Sequence, residues 1–126
     1  MPYTAELPVC EAKAELFKAL GHPVRIRVLE LLASGEHTMG ELAKGTGLEL
    51  SHLSQHVSTL RRAGVVDSRR VKTTVLCRLR DPQMAELLGV ARRLISANLR
   101  QSQVLLAALD DAEDALPAAE AAPVTA

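Results

Sequence analysis

Apolar residues recur at helical spacing over most of the chain, with glycine or proline interrupting them at short intervals. From about Val9 to Leu20, the positions Ala12, Leu16, Phe17 and Leu20 keep helical spacing, and Gly21 supplies a stop. Pro23 suits the first turn of a second helix running to about Ala33, where Val24, Val28, Leu31 and Leu32 share a face. Ser34-Gly35 ends it, and Thr38 with Glu41 reads as a capping box opening a short third helix that turns at Gly45-Thr46-Gly47. A fourth helix covers roughly Leu50–Ala63 and stops at Gly64. Its wheel buries Leu53, Val57 and Leu60 and turns Ser51, Gln55, Ser58 and Arg62 the opposite way, with His52 and Thr59 beside them and Ser54 on a flank.

The spacing then changes to that of strands. Val65–Arg70 and Thr73–Leu79 are joined around Val71-Lys72, and in the second run Val75, Cys77 and Leu79 alternate with Leu76, Arg78 and Arg80. Asp81 is an N-cap and Pro82 a first-turn residue for a last helix reaching about Leu109, nearly 28 residues or roughly 42 Å. Leu87, Leu88, Ala91, Leu94, Ile95, Leu99, Leu105, Leu106 and Leu109 give that helix more apolar surface than a small domain covers alone, which asks for a partner. The expected organisation is a flexible arm over residues 1–8, one domain over 9–109, and an acidic, Ala- and Pro-rich disordered tail over 110–126.

At 126 residues and 48% apolar, the chain can bury a core, but Tyr3 and Phe17 are its only aromatics. The core must be aliphatic, and aromatic stacking platforms for single-stranded nucleic acid are excluded. No uncharged apolar run approaches the roughly 18 residues of a membrane span, and the first residues lack a basic-then-apolar leader, so a cytoplasmic protein is expected. Net charge is zero, yet residues 61–80 hold seven basic side chains against Asp67 alone, while residues 101–126 hold five acids and no base. A basic block this local in a neutral chain points to a polyanion site.

Two short helices joined by a Gly-containing turn, followed by a basic hairpin, give the order of a winged helix-turn-helix. A polar-faced helix can read base edges in the major groove of double-stranded DNA while a basic hairpin lies along phosphates. The expected fold is mainly α, with five helices and a two-stranded β-wing.

Four segments carry a family likeness. LFKALGHPVRIRVLELLASGE, MGELAKGTGL, LSQHVSTLRRAGVV and DSRRVKTTVLCRLRD, spanning about residues 16–81, resemble in order the helices, recognition helix and wing of ArsR/SmtB (arsenic-repressor type) bacterial regulators. The resemblance implies a homodimer built from the first and last helices, through Leu16, Leu20, Leu87, Ala91, Leu94, Ile95, Leu99 and Leu105, that binds operator DNA. By position, it implies that Ser51, His52, Ser54, Gln55, Ser58 and Thr59 face bases or nearby phosphates. Arg62, Arg69, Arg70, Lys72, Thr73 and Thr74 would hold the backbone. The chain departs from the family pattern in three places: Val71-Lys72 replaces the usual wing glycine, Cys77 a usual aromatic, and Glu49 the small polar cap before the recognition helix.

Many members of that family sense metals, and two of their usual sites fail here. Glu41-Leu42-Ala43-Lys44 has no cysteine in the third helix. At the last helix Asp81 is present, but Gln83 stands where histidine is expected, and Leu94 and Ala97 cannot ligate. A nickel or zinc ion could use the i, i+4 pair His52 and His56, although structural or DNA-contact roles are the commoner use of such residues. His22 reads as a helix-start residue and His37 as a loop residue. Cys10 is expected as a lone buried thiol, with contact to a partner's residue across a dimer interface as the alternative, and a Cys10–Cys77 redox pair would need the N-terminus to approach the wing. Ser51, Ser54, His52 and His56 come without a buried carboxylate, so no enzyme is expected. The alternative to a DNA regulator is a protein-interaction module in which the winged helix is a scaffold for a sensing co-regulator.

Overall fold

The computed structural model describes residues 6–114, and its elements follow the polarity pattern. Helix α1 spans Leu7–Leu20, α2 Pro23–Leu32, α3 Met39–Thr46 and α4 Leu50–Arg62; β1 (His37–Thr38) precedes α3, and β2 (Val66–Val71), β3 (Thr74–Leu79) and α5 (Gln83–Asp114) complete the chain. The chain divides into two units, residues 1–88 and 89–126.

Within the first unit, local chemistry sets the helix ends. His22 Nδ1 accepts a hydrogen bond from the Val24 N–H at 3.1 Å and caps α2, whose first residue is Pro23. Thr38 Oγ1 accepts from the Glu41 N–H at 3.0 Å while Glu41 accepts from the Thr38 N–H at 2.8 Å, so two backbone donors at the start of α3 are satisfied reciprocally. Gly47 closes α3 in the left-handed conformation at φ 73°. Asp81 Oδ1 accepts from the Gln83 N–H at 2.9 Å and caps α5. Leu53, Val57 and Leu60 of α4 meet Val28, Leu29 and Leu32 of α2, Leu42 of α3 and Val66 and Cys77 of the sheet in one aliphatic core. Among the described residues, no polar or charged side chain is buried in it.

The structure corrects several expectations. The two-stranded wing, β2 and β3, is joined by β1 in a three-stranded antiparallel sheet of order β1-β3-β2. His37 pairs with Cys77 and Thr38 with Leu76, a strand too short to show any periodicity. The wing turn is Lys72-Thr73, because Val71 pairs with Thr74, so Val71 belongs to a strand and Thr73 to the turn. Lys72 takes φ 57°, the sign that the primed turns of two-residue hairpins require. The N-terminal arm ends earlier than expected, since Leu7 and Pro8 lie in the first turn of α1, where a missing N–H costs nothing; residues 1–5 fall outside the described residues. At the other end, Asp110–Asp114 continue α5 rather than opening a disordered tail. No glycine or proline interrupts residues 90–116, and Ala and Glu are good helix formers. The rest of the expected tail, 115–126, is outside the described residues.

Leu20 is the one expected dimer residue that the structure removes. It is 5% exposed and belongs to the core of its own unit. Leu16 and Leu87 are half-buried against the same core, whereas Phe17 is 55% exposed on α1. In the second unit, Leu94, Ile95, Leu99, Leu105 and Leu106 are each about 60% exposed, and Ala91 is exposed with them. No helix among the described residues is long and apolar enough to cross a membrane.

Candidate nucleic-acid interface

Burial of Leu53, Val57 and Leu60 fixes the rotation of α4 and so decides which side chains it presents. Ser51, His52, Ser54, Gln55 and Arg62 are exposed and Ser58 and Thr59 half-buried. Ser54, Gln55, Ser58, Thr59 and Arg62 line one open groove, so Ser54 belongs with the outward residues and not only to a flank. Thr59 Oγ1 donates to the Gln55 carbonyl at 3.1 Å and accepts from Arg62 Nη2 at 3.4 Å, which steadies the guanidinium at the end of the helix. Glu49 forms no side-chain cap. Hydroxyl, amide and imidazole groups on one helical face can donate and accept toward base edges.

Leu50 was missed by sequence reasoning. It is 55% exposed at the start of α4, although the wheel sets it only about 60° from Leu53. Nothing in the pattern signals this, because a first-turn residue is covered or left open by its tertiary neighbours. An apolar group there suits a thymine methyl.

The basic hairpin separates into two populations. Arg69 makes a two-point contact with Glu36, Nη1 to Oε1 at 3.3 Å and Nη2 to Oε2 at 3.0 Å. Asp67 accepts from Arg80 Nε at 3.0 Å and lies 3.8 Å from Arg78 Nη2. Among the described residues, Arg70 and Lys72 have no carboxylate partner, and both are exposed, as are Thr73 and Thr74. Counting residue types over 61–80 gives the charge of this block but not its pairing.

Away from the outward face of α4, His56 packs its ring 4.3 Å, centroid to centroid, from that of His22. His56 Nδ1 lies 3.3 Å from Arg25 Nη1, whose Nε donates to the Ala19 carbonyl at 2.5 Å. One guanidinium therefore ties the end of α1 and the start of α2 to the middle of α4. Burial, then the positive surroundings of His22, Arg25 and His52, hold His56 below the ordinary histidine range. The neutral ring is the one that can accept from Arg25.

This arrangement does not suit a metal. His56 is engaged with Arg25 and His22 while His52 is exposed, and Asp81 is spent on its helix cap. Among the described residues, no three His, Cys, Asp or Glu side chains gather where they could hold an ion. Cys10 is exposed, contrary to expectation, and Cys77 is buried, its Sγ 3.5 Å from Met39 Sδ and 3.7 Å from Ser68 Oγ. Burial pushes the Cys77 thiol up despite the Ser68 contact and nearby Arg61, so it is a poor nucleophile.

A core of short helices presenting one polar helix beside a β-hairpin defines a winged helix-turn-helix protein. Residues 20–69 match the helix-turn-helix domain family. Over 100 residues the chain is 45% identical to the HTH-type transcriptional regulator Rv0081 of Mycobacterium tuberculosis, covering 79% of this chain and 88% of that protein. The crystal structure of Rv0081 superposes with a TM-score of 0.71 at 46% identity, covering 75% of this chain and 96% of that one. The solution structure of Mb0332 from Mycobacterium bovis, a homodimeric winged helix-turn-helix DNA-binding domain and possible ArsR-family regulator, superposes with a TM-score of 0.70 at 26% identity, covering 80% and 95%. The chain belongs to the ArsR/SmtB family of winged helix-turn-helix transcriptional regulators, which are not enzymes.

Proposed function

We propose that the protein is a transcriptional regulator that binds double-stranded operator DNA as a homodimer, in the cytoplasm. The observation that carries this reading is the outward face of α4, where Ser51, His52, Ser54, Gln55, Ser58 and Arg62 stand together opposite the buried Leu53, Val57 and Leu60. That face enters the major groove, with Gln55 reading a base edge and Leu50 touching a thymine methyl. Thr59 and Arg62 close the helix end on the backbone, and Arg70, Lys72, Thr73 and Thr74 lie near flanking phosphates. The exposed apolar residues of α5 meet a second copy rather than a co-regulator, since an ArsR-type operator reader needs two recognition helices. A two-fold dimer sets these about one DNA turn, roughly 34 Å, apart.

Selection of bound duplexes from a randomised pool tests the reading. Enrichment of a two-fold symmetric sequence is expected, and Gln55→Ala should relax discrimination at one position of each half-site by about 1–3 kcal/mol. Failure to enrich any sequence would refute it.

A further inference from the structure

We propose that Glu36 positions the wing by holding Arg69, so that Arg69 is a positioning residue and phosphate contact falls to Arg70 and Lys72. The inference rests on the DNA-binding reading above.

Strand alternation separates neighbouring arginines. Along β2, side chains alternate between the two faces of the sheet, so Asp67 and Arg69 share one face while Val66, Ser68 and Arg70 share the other. Val66 is fully buried and Ser68 touches the buried Cys77, which marks the second face as the one packed against the helices. Arg70 continues that face toward the tip, beyond the core. Arg69 turns away, into a small cavity of about 220 Å³ where the side chains of its own face, Asp67, Leu76 and Arg78, meet Glu36. The two side chains therefore leave the strand on opposite faces of the sheet.

What Arg69 meets instead is a carboxylate from outside the hairpin. Glu36 precedes β1, whose His37 and Thr38 pair with Cys77 and Leu76 on β3. On the opposite edge of β3, Arg69 pairs with Leu76. The Glu36 side chain therefore passes over β3 and joins both edges of the sheet through two parallel N–H···O contacts, 3.0 and 3.3 Å. The planar guanidinium fork makes such a contact directional, which a lysine could not reproduce. Both partners keep solvent access, at 55% and 36%, so the pair acts through geometry more than through stability. Arg78 and Arg80 are drawn to Asp67 on the same face. Of the hairpin's own cations, those left for phosphate are at the tip.

Salt dependence separates the two roles. Binding of the full-length protein to a fluorescein-labelled duplex selected from the random pool is followed by anisotropy between about 50 and 200 mM salt, where each phosphate contact contributes about 0.9 to the log–log slope. Because a dimer uses each residue twice, Arg70→Ala and Lys72→Ala should each lower the slope by about 1.8. Arg69→Ala should weaken binding alike at every salt concentration and leave the slope unchanged. The exchanged pair, Glu36→Arg with Arg69→Glu, conserves charge and should bind within about threefold of the unsubstituted protein.

A slope loss in Arg69→Ala equal to that in Arg70→Ala would overturn the proposal. So would unchanged affinity in Arg69→Ala, or a loss beyond about tenfold in an exchanged pair that melts like the unsubstituted protein. If the unsubstituted protein shows no salt-dependent binding, the DNA reading itself fails, which is a separate result.

Discussion

Truncating Leu99 tests the assignment of the α5 face to a second copy without disturbing the fold. Leu99 is 60% exposed and lies outside the core, and alanine is the best helix former, so Leu99→Ala should fold and melt normally. Burying a leucine completely contributes about 1.5–3 kcal/mol, so covering the remaining three-fifths contributes about 0.9–1.8 kcal/mol per copy. Two-fold symmetry counts the residue twice, giving about 2–3.5 kcal/mol for the dimer. At about 1.4 kcal/mol per tenfold, the dimer dissociation constant should rise about 30- to 300-fold. Sedimentation velocity across a concentration series reads this directly, with Leu94→Ala as a second probe and the buried Leu20→Ala as a contrast. Leu20→Ala should instead cost about 2–5 kcal/mol of folding stability. Dissociation constants within about threefold of the unsubstituted protein for both α5 variants would refute the reasoning.

Other expectations follow from the local chemistry. His56 has a lowered affinity for protons in the folded state, so its contribution to stability is complete above the ordinary value of 6.5 and is lost as pH falls through the lower folded value. The melting temperature should therefore drop on acidification through that window, and His56→Gln should flatten the drop; an unchanged pH profile would count against the Arg25–His56 contact. Thr38→Ala removes half of the capping box on α3 and should cost about 1 kcal/mol in urea denaturation. Lys72→Gly relieves a side chain at φ 57°, offsetting the entropy of a glycine, so stability should change by less than about 1 kcal/mol while the salt slope of DNA binding falls.

Much of the architecture follows from spacing that any reader of the chain can measure. The Thr38/Glu41 box, the Pro23 start, the Asp81 cap and the rotation of α4 are local or periodic, and each depends on residues within a few positions of one another. The buried face of Leu53, Val57 and Leu60 determines the outward face by geometry alone, which is why the exposed face of α4 was legible. The length of α5 was legible only in part, because a charged, alanine-rich segment can end a helix or continue one, and hydropathy does not distinguish these.

Tertiary structure decided what depends on distant pairs. That Glu36 meets Arg69, thirty-three positions away, requires β1 to pair with β3, and a two-residue strand leaves no trace in the pattern. The same holds for Arg25 against His56, for Leu20 turning into the core, and for Leu50 left open at the start of α4. The sequence by itself determined which helices form, which faces are apolar and where positive charge gathers. Only folding determined which of those charges are neutralised and which remain free, because ion pairing depends on ångström-scale separation in space rather than on order along the chain.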